Sequence, residues 1–402
     1  MLPFDILEYQ NRLTETKQQM EVQGIEVLLI TDPANMNYLS GYDAWSFYVH
    51  QMLVIILDQP QPLWIGRHMD AAGAKSGTWL YDENVIDYPD YYVHSQTHHP
   101  MAFIADILKQ IGQGNRRIGV EMDNYYFTAK AFAQLVKHLP DAVFQDADLL
   151  VNHVRLIKSD VEIEYMRRAG KIAEQAMTKG IATVKPGGRQ CDTAAELYYH
   201  MLAGTDQYGG DYPAIVPFLP TGENTVVPHL TWSDDSFQEG ETVSIEIAGC
   251  YKRYHVPLAR TVSIGKPDEK ILTTASYVTE GLNEVLQKIT PGMTCEEVND
   301  TWKQSIQRHG IIKEARLGYS VGLNYPPDWG EHTVSLRNGD KTVLQPNMTF
   351  HLIPALWLNH YGIEISETIR VTETGCETFT NYPREVIIRD SVFLNPSDGK
   401  IS

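Results

Sequence analysis

The 402-residue sequence predicts an α/β N-terminal domain, residues 1–155, followed by an internally duplicated α+β domain, residues 156–402. Three observations predict it. Short apolar, partly β-branched runs alternate with helical periodicities in the N-terminal part. A capped helix begins at Ser159, where the pattern changes character. The order helix, Pro-Gly turn, Cys, acidic residue, second helix then occurs twice, around Lys185 and around Thr290.

In the first domain IEVLLI (25–30), MLVIIL (52–57), PLWIG (62–66) and RIGVE (117–121) read as strands, with helical patterns near 5–22, 100–112 and 127–138. Ser159 and Glu162 make an S-x-x-E capping box. In the helix that follows, Ile163, Met166, Ala169, Ile172, Ala173, Ala176, Met177 and Ile181 recur at three- and four-residue steps, up to the Lys185-Pro186-Gly187-Gly188 stop. A similar helix carrying Tyr277, Val278, Leu282 and Ile289 runs into Thr290-Pro291-Gly292. Strand-like TVSIEIAGCY and LARTVSIG follow the first copy, and MTFHLIPALWL and IEISETIRVT follow the second. Each copy supplies a helix pair, and together they are expected to back a curved antiparallel sheet.

Composition excludes several classes. Lys and Arg number 33 against 51 Asp and Glu, a net charge of −18 that argues against nucleic acid and anionic membrane partners. No apolar run approaches the ~20 residues of a membrane span, and the first residues lack a basic then apolar leader, so a cytoplasmic protein is expected. Cys191, Cys250, Cys295 and Cys376 show no CxxC pairing and read as reduced, structural thiols.

The ordered landmarks TDPANMNYLSGY (31–42), PAIVPFLPTGENTVVPH ending at His229, IEIAGCYKRYHVPLART (245–261), GYSVG (318–322) and IEISETIRVT resemble the creatinase, prolidase and aminopeptidase P family, whose C-terminal domain has the pita-bread fold. The resemblance spans nearly the whole chain. It implies a site where metal-dependent relatives hold two ions with two Asp, one His and two Glu. Those positions here carry Glu246, Pro257, Tyr319, Ile353 and Ser366. Proline and isoleucine cannot coordinate, so no catalytic metal and no other cofactor is expected. A shift of one residue would restore Glu367 alone. More narrowly, GGDYPAIVPFLPTGENTVVPHLTW, EIAGCYKRYHVPLART, YPPDWGEHTVSLR, YDAWSFYVHQ and GVEMDNYYF are similar to the ectoine hydrolases. That resemblance implies opening of the cyclic amidine of ectoine, with hydroxyectoine a further possible substrate, to an N-acetyl-2,4-diaminobutyrate.

Without a metal-bound hydroxide, side chains must supply nucleophile and base. Glu246, between Ile245 and Ile247, is the foremost candidate, because a buried carboxylate is costly unless a cation such as an amidinium pairs with it. Strand alternation alone would equally allow it to face outward; the family position turns it to the cavity. Nucleophile and general base both remain open for it. His229 matches the cavity histidine of creatinase, and an imidazole can shuttle protons at neutral pH. His255 lies two residues before the lost second Asp. Arg337 matches the creatinase arginine that takes a substrate carboxylate, a role suited to a guanidinium fork. Tyr325, Asp328, Trp329 and Glu331 fall in the stretch where the family contacts substrate, and their aromatic faces suit a cation. Asp211 could engage the second amidine nitrogen or serve a turn after Gly209-Gly210. The resemblance further implies a homodimer in which Trp45, Phe47 and Tyr48 complete the partner's cavity; on their own they read as an aromatic core cluster.

Two rivals stand beside this reading: a metal-dependent Xaa-Pro peptidase with displaced ligands, and a non-catalytic pita-bread binding module. Creatine is disfavoured as a substrate, because the acidic residue of the creatinase ALERT motif is Ala259 here and its second cavity glutamate is Ile353.

Overall fold

The computed structural model describes residues 2–389, which divide into two compact units between Leu156 and Ile157.

The first unit contains α1 (Ile6–Gln23), β1 (Val27–Ile30), α2 (Pro33–Ser40), β2 (Met52–Ile56), β3 (Leu63–Arg67), α3 (Ala71–Gly77), β4 (Val85–Tyr88), α4 (Pro100–Gln110), β5 (Arg117–Val120), α5 (Ala129–His138), β6 (Val143–Asp146) and α6 (Leu150–Val154). Its mixed sheet has the order β4-β3-β2-β1-β5-β6. The central strands are the continuous apolar runs of the sequence, because helices or loops bury them on both faces. The edge strands β4 and β6, VIDY and VFQD, are half-exposed and carry no such run. Val27, Leu29, Val54, Ile65, Ile104, Leu108, Ile118 and Leu135 form one core between this sheet and α4 and α5.

The second unit begins with α7 (Asp160–Thr183), whose N-terminus carries the full reciprocal capping box of Ser159 and Glu162. Then come α8 (Gln190–Ala203), β7 (Thr242–Tyr251) and β8 (Tyr254–Ile264). The second copy repeats the pattern with α9 (Glu269–Lys288) and α10 (Cys295–Gln307), the latter capped by a second box, Thr294 with Glu297. After it run β9 (Gly318–Val321), β10 (Gly330–Leu336), β11 (Thr349–Leu352), β12 (Ala355–Trp357), β13 (Gly362–Glu364), β14 (Glu367–Val371), β15 (Cys376–Thr378) and β16 (Ile387–Arg389). The strands form sheets β10-β9-β11-β14-β15, β12-β13 and β16-β8-β7. The duplicated α+β reading of this domain thus holds. Helix α7 lies directly on β7: a Cβ on Gly249 would stand 1.9 Å from the carbonyl oxygen of Ala169, so only glycine permits this approach.

The long β7–β8 hairpin sets the register of the unit. Its two-residue turn, Lys252-Arg253, has both residues at positive φ (51° and 68°), the type I′ geometry that matches strand twist. From that turn Glu246 falls opposite Ala259, Ala248 opposite Pro257 and Cys250 opposite His255.

Candidate active site

The register places the five positions implied for metal ligands on two neighbouring rows of one sheet face. Glu246 pairs with Ala259, and Ala259 exchanges hydrogen bonds with Ser366: the Ser366 N–H donates to its carbonyl (3.1 Å), and its own N–H donates to Ser366 Oγ (2.7 Å). Ile353 continues this row beyond Leu352 of β11, which pairs with Glu367. In the next row Ala248 pairs with Pro257, whose carbonyl accepts from Thr368 Oγ1; Thr368 pairs with His351, and His351 with Tyr319. Opposed residues point to one side of an antiparallel sheet, so these side chains share a face.

Glu246 is 6% exposed, and among the described residues its carboxylate has neither a hydrogen bond nor an ion pair. Burial, with the Glu364 and Asp328 carboxylates adding to it, holds Glu246 well above the usual carboxylate range. Glu364 stands in the row on the other side: Ser244 pairs with Thr261, which exchanges hydrogen bonds with the Glu364 backbone, while Ser244 Oγ donates to Glu364 Oε2 (3.4 Å). Burial pushes Glu364 up to about 7, against the pull of the Lys313 ammonium. Ala259, with only a methyl, stands on β8 between the rows of the two acids.

The polar groups around them form a directed chain. Trp329 Nε1 donates to Tyr319 Oη (2.7 Å), Tyr319 Oη contacts His351 Nδ1 (3.3 Å), and His351 Nε2 contacts Ser366 Oγ (2.9 Å). The Trp329 N–H can only donate, so Tyr319 Oη accepts it; with the tyrosine hydrogen assigned to Nδ1, the histidine proton sits on Nε2. In that tautomer Ser366 Oγ accepts from both Ala259 N–H and His351 Nε2–H, and its own hydrogen is left to point over the row of Glu246. Burial lowers His351 to about 3, so the ring stays neutral.

The sequence-derived candidates divide into three groups. His255 is fully buried on the same face as Glu246, four residues along β8 from Ala259; the Ala214 N–H donates to its Nε2 (2.9 Å), and its Nδ1 lacks a hydrogen-bond partner among the described residues. Burial brings it to about 4, so it is a neutral donor through Nδ1. Asp328 bears on Glu246, Tyr319, His255 and His351. Burial raises its own carboxyl, but the His332 ring (2.8 Å) and the Gly330 N–H (3.0 Å) outweigh burial and keep it below the ordinary range. Trp329 is buried beside Tyr319.

The second group has structural duties. Glu331 forms a buried ion pair with Lys158 (2.7 Å). The Tyr325 ring is covered by Arg253, whose guanidinium carbon lies 5.5 Å from it and 3.6 Å from the Tyr212 ring. Asp211 accepts from the Lys252 N–H and so fastens the β7–β8 turn, six residues or about 20 Å along the chain from Glu246.

The third group is exposed. His229 packs on Phe218 (ring centroids 5.4 Å), whose backbone is hydrogen-bonded to Glu246. Arg337 lies on the turn beyond β10. Trp45 and Tyr48, each 57% exposed, belong to the first unit, where Phe47 stacks at a tilt on Trp45. Phe47 and Tyr48, with His50, His94 and His99, line a pocket of about 520 Å³ there; Trp45 and Tyr48 are thus not core residues.

Sequence reasoning missed His351, Glu364 and Lys313. Two of these carried a signal: His351 is two residues before Ile353 and Glu364 two before Ser366, so period-2 alternation from the implied ligand positions puts both on the site face. Lys313 precedes β9 in a stretch without periodicity; its Nζ lies 4.9 Å from the Trp357 ring and burial lowers it to about 8.

As a metal centre the donor set does not fit. Among the described residues no group of three or more His, Cys, Asp or Glu side chains is arranged to hold an ion. Glu367, the residue a one-place shift would restore, is turned to the other face, where its carboxylate accepts from Arg260 (2.6 Å), Arg384 (3.2 Å) and Thr380 (2.8 Å).

A fold of two such units, with a carboxylate-rich face where metal ligands would stand, defines a pita-bread protein of the hydrolase type. Known proteins place it further. The model of Metallopeptidase family M24 matches residues 164–373, and that of the Creatinase/Prolidase N-terminal domain matches residues 12–157. The chain belongs to metallopeptidase family M24 and carries the creatinase/prolidase N-terminal domain. It is 45% identical to the ectoine hydrolase of Halomonas elongata over 96% of this chain and 99% of that protein. It is 46% identical to an uncharacterized hydrolase/peptidase of Sinorhizobium fredii, over 97% of this chain and all of the relative. The prolidase from Pyrococcus horikoshii shares the fold at 22% identity, with a TM-score of 0.79 over 94% of this chain and 100% of that one.

Proposed function

We propose that this chain is a metal-independent hydrolase that opens the cyclic amidine of ectoine to N-acetyl-2,4-diaminobutyrate. The observation that carries the reading is Glu246, a buried carboxylate without a hydrogen bond or ion pair among the described residues. Such a group is costly until a cation arrives, and a planar amidinium is a cation of matching shape. The 45% identity to an ectoine hydrolase, over nearly the full length of both chains, supports the same substrate.

In this reading the amidinium lies over Ala259 and its charge draws Glu246 into the ionised form. A Glu246 oxygen bonds to the amidine carbon while the C=N electron pair moves to a ring nitrogen. That nitrogen is protonated and leaves. Water then takes the place of Glu246, restoring the carboxylate and leaving an amide, and the released amine ends as ammonium. The Ser366 hydroxyl and His255 Nδ1–H are neutral donors for the acyl oxygen and the substrate carboxylate. Asp328 and Trp329 flank the cation, His229 and Arg337 lie at the exposed margin, and in a homodimer Trp45, Phe47 and Tyr48 of a second copy close the cavity.

Purified protein is mixed with ectoine or hydroxyectoine and the product followed by NMR. Ring opening is expected; its absence with both compounds sinks the reading. Mass spectrometry of quenched protein should find substrate mass on Glu246, and Trp45→Ala should raise KM while size-exclusion light scattering still reports a dimer.

A further inference from the structure

We infer that Glu364 is the general acid and base of the reaction: it gives a proton to the departing ring nitrogen and afterwards takes one from the attacking water. This rests on the amidine-opening reading and adds to it the group that moves the proton.

The placement comes from the sheet. Glu364 and Glu246 lie on adjacent rows across β8, the first on the row of Ser244 and Thr261, the second on that of Ala259 and Ser366. Ser244 occupies the same face of β7 as Glu246, two residues earlier, and its hydroxyl reaches Glu364 Oε2. The two carboxyls thus converge over the methyl of Ala259, where a bound six-membered ring would have its amidine carbon toward one acid and a nitrogen toward the other. Glu364 is 3% exposed and, apart from Ser244, its carboxylate has no hydrogen-bond partner among the described residues.

Other candidates for the proton are occupied or held neutral. The acceptor nitrogen of His255 receives the Ala214 N–H, and that of His351 receives Tyr319. Protonating His255 Nε2 would break a buried hydrogen bond, and burial holds the His351 ring neutral. His229 is exposed. The charges bearing on Glu364 are Lys313, from the segment before β9, and Glu246, from β7. Two neighbouring carboxyls and one cation favour a single proton shared between the acids.

The balance closes. Glu364 starts protonated and Glu246 ionised. Attack by Glu246 and proton transfer from Glu364 break the C–N bond, giving a free amine and a Glu246 acyl-imidate. Glu364, now a carboxylate, takes a proton from water as the oxygen bonds to the same carbon. Glu246 leaves with its electron pair, and the proton of the protonated amide passes to the amine. One water is consumed and both acids return to their starting forms.

Because Glu364 must begin protonated, the rate should fall as pH rises through about 7. The test measures kcat and kcat/KM for ectoine against pH in wild type, Glu364→Gln and Lys313→Met, with melting temperatures for each. Glu364→Gln should lower kcat about 10²- to 10⁴-fold, leave KM within a few-fold and abolish the alkaline limb. Lys313→Met should keep that limb. The inference is overturned if Glu364→Gln retains near-wild-type kcat or the same limb, or if the limb vanishes with Lys313 instead. Should Glu364→Gln fail to fold, Glu364→Asp must shift the limb; an unmoved limb overturns the inference equally. Difference infrared spectra provide a readout without substrate: a protonated-carboxyl C=O band at neutral pH should be present in wild type and missing in the Gln variant. Wild-type protein that leaves ectoine intact would defeat the functional reading itself, before Glu364 is altered.

Discussion

Arg260 Nη2 lies 2.6 Å from Glu367 Oε1, and both side chains are fully buried. Arg260 also donates to the carbonyls of Ala259, Ser366, Tyr382 and Pro383, so the guanidinium is satisfied around its whole fork. Ala259 and Ser366 face the site, and their chain neighbours Arg260 and Glu367 face away. The pair therefore fixes which side of β14 turns toward the row of Glu246. Removing one partner leaves a buried charge, so Arg260→Met should destabilise by about 3–5 kcal/mol, read as a lower urea midpoint. A midpoint within error of wild type would contradict this role.

Glu246 should behave in the opposite way. Its carboxylate contributes nothing to folding that a neutral amide would not, since burial already disfavours its charge. Glu246→Gln should abolish turnover of ectoine, by at least about 10³-fold, while leaving the protein as stable as wild type or about 1 kcal/mol more so. Loss of both activity and fold would make Glu246 a structural group.

These residues also show how far the sequence could be read. The α7 cap, the helix repeat and the central strands were legible because each depends on neighbours within a turn or two. So was Glu246 as a buried strand residue on the face of the implied ligand positions, once the family positions were set against the β7 pattern. Glu331 was not: its pairing with Lys158 joins positions 173 apart, and nothing local announces it. Asp211 and Lys252 are 41 residues apart and meet only through the tertiary fold. Edge strands β4 and β6 escaped detection because half-exposed strands need no continuous apolar run.

Chelation gives a separate test of the site. With Glu367 engaged by Arg260, and Pro257, Ile353 and Tyr319 at the implied ligand positions, dialysis against EDTA should leave kcat unchanged within about twofold. Elemental analysis should find less than stoichiometric Mn, Co, Fe or Zn. Activity lost on dialysis and restored by Mn²⁺ or Co²⁺ would favour the displaced-ligand peptidase instead, and an Xaa-Pro dipeptide would then be the substrate to try.

The last prediction concerns Glu121 of the first unit, which is 7% exposed. Its Oε2 accepts the N–H groups of Thr31 and Asp32, both at 2.8 Å, and its Oε1 accepts Asn35 Nδ2 at 2.6 Å, which ties the end of β5 to the start of α2. Burial and the Asp32 carboxylate outweigh these bonds and push Glu121 up to about 7. The folded protein therefore holds a proton there that the unfolded chain has released above about 4.3. That stabilisation is fully present below the unfolded value and is lost as pH rises through about 7, at most about 4 kcal/mol from this group. Glu121→Gln keeps the shape but cannot release a proton, and its amide nitrogen cannot accept. It should flatten the decline of melting temperature between about pH 5 and 7.5 and lower stability at pH 5 by about 1–2 kcal/mol. A variant whose melting temperature follows the wild-type pH curve would show that Glu121 is ionised in the fold throughout this range.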